Sequence, residues 1–261
     1  MIKKMCTQKK FMQISFVLLL LMIWEIVARF EVYPKAIFPS LEVVFVKLIS
    51  MILTGELITQ AIYSISIVIV TMCLSLVIGL MAVAASTSSR YIRVNIELLN
   101  ATLGPIPGVA VLPFIILWFG ISQTSMNLIM IHAMVWPIWL TLMLSKDKLD
   151  QKYSKLMRAF KVKSNYKWMH VYLQGMVPDI ITALEIAWGR GWRTLLSVEM
   201  IFGIVGDQSG LGWLVYERRM YMDTAGMLSG LLVIALCGII FESLLFKSKR
   251  LEAYIESHYQ N

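Results

Sequence analysis

Residues 150–178 read DQKYSKLMRAFKVKSNYKWMHVYLQGMVP, a basic segment with Lys152, Lys155, Arg158, Lys161, Lys163 and Lys167 and no acidic residue after Asp150. Immediately upstream, Leu98 to Ser145 contains no Asp, Glu, Lys or Arg. A helix needs about 20 apolar residues to cross a bilayer, so that run is long enough to cross twice. The basic segment is therefore expected to be a long loop between membrane helices. It carries apolar residues with no lipid to receive them, which points to docking on another protein.

The rest of the composition agrees. Hydrophobic residues make up 58% of the chain and charged ones 15%, against about 25% charge in a soluble domain. Mean hydropathy is +0.72. The net charge of +8 sits at the ends of apolar runs, which speaks for a membrane protein and against nucleic acid as a partner. Cys6, Cys73 and Cys237 form no CxxC and suggest no pairing; the last two lie in apolar runs as small packing residues.

The expected fold is an all-α membrane protein, one domain over residues 1–261, with six spans at about 11–29, 57–85, 103–120, 125–144, 179–205 and 224–246. The first is read as a retained anchor, because its apolar run is longer than a signal peptide's and no small-x-small cleavage site follows. Between the first two, Ser40 is placed to cap a short interfacial helix with Val43, Val44, Val46 and Leu48 on its apolar side. Ser86–Arg93 reads as a polar turn. With six spans, Lys3, Lys4, Lys9, Lys10, Arg90, Arg93, the 150–178 loop, Lys247, Lys249 and Arg250 all fall on one side. The positive-inside rule makes that side the cytoplasm, with both termini there.

The fifth span is the most polar. It carries Asp179, Glu185, Arg190, Arg193 and Glu199. Ionisable groups at membrane depth are costly and face a protein interior or a watery path. Glu185, Arg190, Arg193 and Glu199 are accordingly candidates for a translocation path or a subunit interface. The glycine-rich stretch Gly203–Gly212 contains no GxxxxGK[ST] and follows a membrane helix rather than a strand, so it reads as a compact turn and re-entrant segment instead of a phosphate cradle. His132, His170 and His258 are scattered, His132 lying inside the fourth span. No catalytic, metal or cofactor constellation is present, so the chain is not expected to be an enzyme.

Taken together, Phe38-Pro39-Ser40, Pro105-Ile106-Pro107, Leu112-Pro113 running to Gly120, Trp192-Arg193 running through Glu199 to Phe202-Gly203, and Ser209-Gly210-Leu211-Gly212 resemble the inner-membrane permease subunit of bacterial ATP-binding-cassette importers, in the nitrate/taurine/sulfonate-type branch. The resemblance covers about Phe38 to Phe246. The family's cytoplasmic signature is Glu-Ala-Ala, a glycine four residues on, and a later proline. Counted back from Pro178, Lys155, Leu156 and Met157 take the Glu-Ala-Ala positions and Lys161 the glycine's, so the Glu and Gly are replaced while the proline is kept.

The resemblance implies that this loop is a coupling helix pair. Lys155, Leu156, Met157, Phe160, Lys161 and Pro178 are the candidates for coupling to an ATPase. Ser154 could cap a first helix presenting Leu156, Met157 and Phe160; Ser164 could start a second bearing Trp168, Val171 and Tyr172, with Ser164 and Asn165 as turn formers between them. The implied assembly is a pair of permeases in the cytoplasmic membrane, with two cytoplasmic ATPase subunits and an extracytoplasmic substrate-binding protein. Its cargo would be a small solute such as a sulfonate, nitrate or a vitamin precursor. A self-sufficient secondary carrier or channel is the alternative. It calls for repeated halves and mid-membrane coupling carboxylates, and no convincing repeat is seen. A membrane scaffold would explain the loop but not the polar fifth span.

Overall fold

A computed structural model describes residues 2–259, with side-chain surroundings for 11–164 and 166–244. Asn165 and the terminal lysines and arginines, with Cys6 and His258, have side chains outside those described. The helices are α1 (Ile2–Arg29), α2 (Leu41–Leu53), α3 (Glu56–Ser88), α4 (Arg90–Leu103), α5 (Leu112–Phe119), α6 (Gln123–Ala159), α7 (Ser164–Tyr166), α8 (Leu173–Gly175), α9 (Val177–Phe202), α10 (Leu211–Met220) and α11 (Thr224–Tyr259). Among the described residues there is no strand, only one bridge between Val205 and Gln208. The fold is all-α.

Phe11–Arg29, α3, α6 and Thr224–Leu244 are each long and apolar enough to cross a membrane. The run expected as one span over 103–120 is broken. Gly104, Pro105 and Pro107 interrupt it, and Arg90–Leu103 meets Gly108–Phe119 at 93°. Proline lacks an N–H and restricts the residue before it, so a helix cannot continue through Pro105-Ile106-Pro107. The apolar segment instead begins earlier, because the supposed turn at Ser86–Arg93 is a break of one extended residue, Ser89, between α3 and α4. Counting the bent pair, five segments qualify as spans; α9 has the length, but its charges keep it below the apolar standard.

The core lies where α6 is sandwiched between α3 and α9. Val68, Ile138, Leu142, Ala187 and Leu195 are fully buried there. Gly191 allows the approach of α6 to α9, since a Cβ at that position would stand 1.7 Å from the Met134 methyl. On the far side of α9, Trp188 stacks on Phe241 of α11 at 3.7 Å and on Trp192 at 5.3 Å. Helix α1 packs chiefly on α2 and leaves its apolar surface open, as suits a lipid-facing helix. Its end is nevertheless fixed: Trp24 Nε1 donates to the Pro39 carbonyl, Trp24 stacks on Phe38, and Glu25 accepts the Leu41 amide at 2.9 Å. Glu25 thus satisfies an orphan amide at the start of α2. Ser40 occupies the cap position, but its side chain makes no capping bond.

The glycine-rich stretch is a tight turn. The chain reverses through the Val205–Gln208 bridge and re-enters as α10, which packs against α9, α11 and α3. Beside it, Asp223 caps α11 by accepting the Gly226 amide at 2.9 Å and receives Lys47 at 2.8 Å; Arg218 reaches both Asp223 and Glu56. Burial by itself would raise the Asp223 pKa, but the Lys47 and Gly226 bonds and the nearby positive charges outweigh it and hold the carboxyl below its ordinary 3.8. A depressed carboxylate contributes stability above its unfolded pKa and loses it as pH falls through the folded one. Asp223→Asn should therefore melt earlier than the parent at pH 7. The gap should close as pH falls below about 4, read from thermal unfolding in detergent.

Candidate functional site

The segment after the apolar run is built differently from a two-helix loop. Helix α6 does not stop at Ser145. It continues as one helix to Ala159, so Ser154 lies inside it and caps nothing. The polar faces of successive turns are tied sideways. Arg93 of α4 forks onto Asp147 at 2.8 and 3.1 Å and also meets Glu97; Lys146 meets Asp150 at 2.5 Å; Tyr172 donates to Asp150 at 2.5 Å. Burial and the Asp150 bond together push the Tyr172 phenol pKa up, so it remains a donor. Ser145 donates to Asp179 at the start of α9. These links join α4, the C-terminal half of α6, the residues after Ser164 and the start of α9.

The end of α6 is a Schellman turn. Val162 N–H donates to the Met157 carbonyl at 3.0 Å and Lys161 N–H to the Arg158 carbonyl at 3.1 Å. Lys161 has φ +48°, the left-handed conformation that suits glycine. The position at which the resemblance places a glycine is thus the one whose backbone calls for it. Lys161→Gly should stabilise the chain by about 1 kcal/mol by removing the left-handed penalty on a side-chain-bearing residue, seen as a higher melting temperature in detergent.

The second helical element begins at Ser164, as expected, and runs through a π-helical stretch, Lys167–Tyr172, to Gly175. Pro178 sits in the first turn of α9, where no amide bond is lost. The apolar trio divides. Leu156 is 55% exposed and Phe160 78%, while Met157 is 6% exposed and joins the core. Residues four apart share a helix face, whereas a neighbour is turned by about 100°. A concavity of about 560 Å³ runs beside this face, lined by Lys152, Tyr153, Leu156, Phe160, His170 and Val171.

The charged groups of the fifth span do not form one cluster. Glu199 is 1% exposed. It accepts from Ser64 Oγ at 2.7 Å and from the Gly212 amide at 2.8 Å, while Ser64 accepts the Leu211 amide at 3.0 Å. It fastens α3 and α9 to the start of α10. Glu185 is half-buried. Arg190 and Arg193 are exposed and line a cavity of about 400 Å³ with His132, Thr194, Ser197 and the Gly104–Val109 turn. Thr194, Ser197 and the broken turn were absent from the candidates. The signal was available, since 190, 193, 194 and 197 follow the i, i+3, i+4, i+7 spacing of one helix face.

Residues 15–247 match the family described as binding-protein-dependent transport system inner membrane component. The chain belongs to this family. Its similar relatives include the taurine transport system permease protein of Escherichia coli, 24% identical over 88% of this chain and 84% of the relative. The formylaminopyrimidine transport permease protein of Halalkalibacterium halodurans is 26% identical over 86% and 88%. The nitrate import permease protein of Leptolyngbya laminosa is 25% identical over 54% and 50%. The chain is thus a multi-pass membrane permease subunit of an ATP-binding-cassette importer, a transport component rather than an enzyme.

Proposed function

We propose that this permease works as a pair, is driven by two cytoplasmic ATPase subunits, and receives its solute from an extracytoplasmic binding protein. Both termini and the 150–178 segment lie in the cytoplasm. Leu156 and Phe160 dock on the ATPase, with Lys155 and Lys161 at the rim; Met157 and Pro178 support the segment from within. Arg190 and Arg193 face the solute path near the partner permease. Glu185 and Glu199, on the same helix, belong to that path or to its supporting interface. The cargo is a small solute of the kind for which the relatives are named. Nucleotide-driven closure of the ATPases would move the coupling segment and rock the membrane helices around a central site.

The observation that carries the reading is the exposed Leu156–Phe160 pair on a basic segment with no acidic residue after Asp150, tied by Asp150, Tyr172 and Asp179 to the membrane helices. Exposed apolar side chains outside lipid mark a partner surface. The test is reconstitution of the chain into vesicles with an ATP-binding-cassette ATPase and a binding protein from the same organism. The expected result is uptake that requires ATP and both partners, with the cargo chosen by a binding panel of sulfonates, nitrate and pyrimidine vitamin precursors. Ion-gradient-driven uptake by the chain alone would overturn the reading in favour of a secondary carrier. Orientation is tested separately. A cysteine at Lys163 should react only from the cytoplasmic face, and labelling from outside intact cells would remove the proposed topology.

A further inference from the structure

We propose that the cavity between α9, α6 and the Gly104–Gly108 turn is an anion-binding station within the permease itself, with Arg190 and Arg193 supplying charge and Thr194 and His132 supplying hydrogen bonds; Ser197 lines the wall with its hydroxyl given to the Arg193 carbonyl at 3.0 Å. The proposal rests on the reading that this cavity lies on the solute path, and it adds the chemical class that the cavity admits.

Sequence alone leaves the sign of this helix undecided, because two arginines are balanced by Glu185 and Glu199. The fold takes Glu199 and Asp179 away from the arginines, and Glu185, half-buried on the same helix, does not line the cavity. Glu199 is sealed on the opposite side against Ser64 and the Gly212 amide, Asp179 is engaged by Ser145 at the cytoplasmic end, and no carboxylate lines the cavity. Arg193 spends its Nε on the Gly189 carbonyl at 2.7 Å. Among the described residues its other guanidinium nitrogens have no protein partner, and Arg190 forms no ion pair. Uncompensated guanidinium groups within a low-dielectric slab attract anions, and their flat fork suits the oxygens of a sulfonate, nitrate or carboxylate.

His132 supplies an independent observation. Both ring nitrogens are buried, and neither has a hydrogen-bond partner among the described residues. Buried polar groups are nearly always satisfied, and an orphan lining a cavity asks for a ligand or water there. A neutral imidazole offers one donor and one acceptor, so it can donate to an anion held by the arginines. The cavity, about 400 Å³, is of a size that holds small organic solutes, and its Gly104–Gly108 wall brings backbone close without adding charge.

The test does not depend on knowing the cargo or on the ATPase. In full-length permease with its 3 cysteines replaced by alanine, a single cysteine is placed at Ser197 and, in a second variant, at Thr194. Each is treated with an anionic sulfonatoethyl and a cationic trimethylammonium-ethyl methanethiosulfonate reagent, with rates normalised to a free thiol. We expect the anionic reagent to be favoured at least about tenfold, as charged clefts concentrate counter-ions by that order or more. The Arg190→Gln/Arg193→Gln double variant should lose the preference. Millimolar nitrate or ethanesulfonate should slow modification by neutral methyl methanethiosulfonate, whereas chloride and dimethyl sulfone should not. Equal rates for the two charged reagents, a preference that survives the double variant, or no reaction at either cysteine would each overturn the station. Slowing by chloride alone would reduce it to unspecific attraction and overturn the oxyanion assignment. The importer reading stands or falls on ATP-dependent uptake, so the two failures are told apart.

Discussion

Gly212→Ala should prevent the chain from accumulating as a folded, monodisperse protein. A Cβ at this position would stand 2.3 Å from the Leu196 carbonyl oxygen and within 3.0 Å of the Glu199 carboxylate. Neither can yield cheaply. The carbonyl belongs to the backbone of α9, and the carboxylate is fixed by Ser64 and by the Gly212 amide itself. Relief requires α9 and α10 to separate, which exposes Glu199 and the fully buried Leu211 and Leu214. Overpacking of a tight core costs about 1–3 kcal/mol, and a buried carboxylate left without its partners adds several more. Against a total stability of about 5–15 kcal/mol, that is a large fraction. Fluorescence size-exclusion of the detergent extract reads the outcome. Gly189→Ala on the neighbouring helix α9 is the control: a Cβ there would meet only the Arg193 side-chain end at 3.7 Å, so it should be nearly neutral. A monodisperse Gly212→Ala protein with parental melting would mean that α10 is not held as described. Glu199→Gln, which keeps the shape and the acceptor oxygen, should fold better than Glu199→Leu.

The second large effect is functional. Phe160→Asp should leave insertion, folding and pairing intact while detaching the ATPase. Phe160 is 78% exposed at the end of α6, so its replacement opens no cavity in the permease. Burying one large apolar side chain in a partner is worth roughly 1.5–3 kcal/mol, and an aspartate in the same groove must also be desolvated. Loss of the apolar part alone weakens association about ten- to a hundredfold. The neighbouring lysines contribute less, since exposed ion pairs are worth about 0–1 kcal/mol each. Co-purification in mild detergent and substrate-stimulated ATP hydrolysis are the readouts. An intact complex with normal stimulation would show that docking lies elsewhere. Met157→Ala should behave oppositely. It should destabilise the permease by about 2–5 kcal/mol through a core cavity, with the docking surface itself unchanged.

The helices were legible because hydropathy reports burial in lipid directly, and α1, α3, α6 and α11 follow it closely. The chain's direction changes were less so. Pro105 and Pro107 lie inside the run read as one span, so neither the break nor the 93° bend, which depends on what α5 packs against, is foreseen. Lys161 is reached by counting back from a proline, but the sequence puts the turn formers at Ser164 and Asn165, and only the structure shows the left-handed turn at Lys161 itself. What the residues could not disclose was facing. Leu156, Met157 and Phe160 are equally apolar, and only the partner helix decides that Met157 turns inward. Glu199 and Arg193 are equally costly in a membrane, and only the position of Ser64, far away in sequence on α3, sends the one to a buried fastening and leaves the other at a cavity wall. Ser154 and Ser40 have the right chemistry for caps. The first was overruled by a helix that simply continues, and the second by Glu25, whose competing bond arrives from another element.

Helix α6 has one further consequence. Its 37 residues make a rod of about 55 Å at about 1.5 Å per residue, much longer than the roughly 30 Å of hydrocarbon it crosses. It contains one proline, Pro137, where a rung of the hydrogen-bond ladder is missing and bending is easiest. From there to Phe160 is about 35 Å along the axis, and to His132 about 8 Å. A rod pivoting at Pro137 is a lever with unequal arms. A displacement of about 5 Å at Phe160 would arrive at the cavity wall as a shift near 1 Å, delivered with proportionally greater force. The same bend that would carry the exposed end of the rod far would thus move His132 and the cavity wall only slightly.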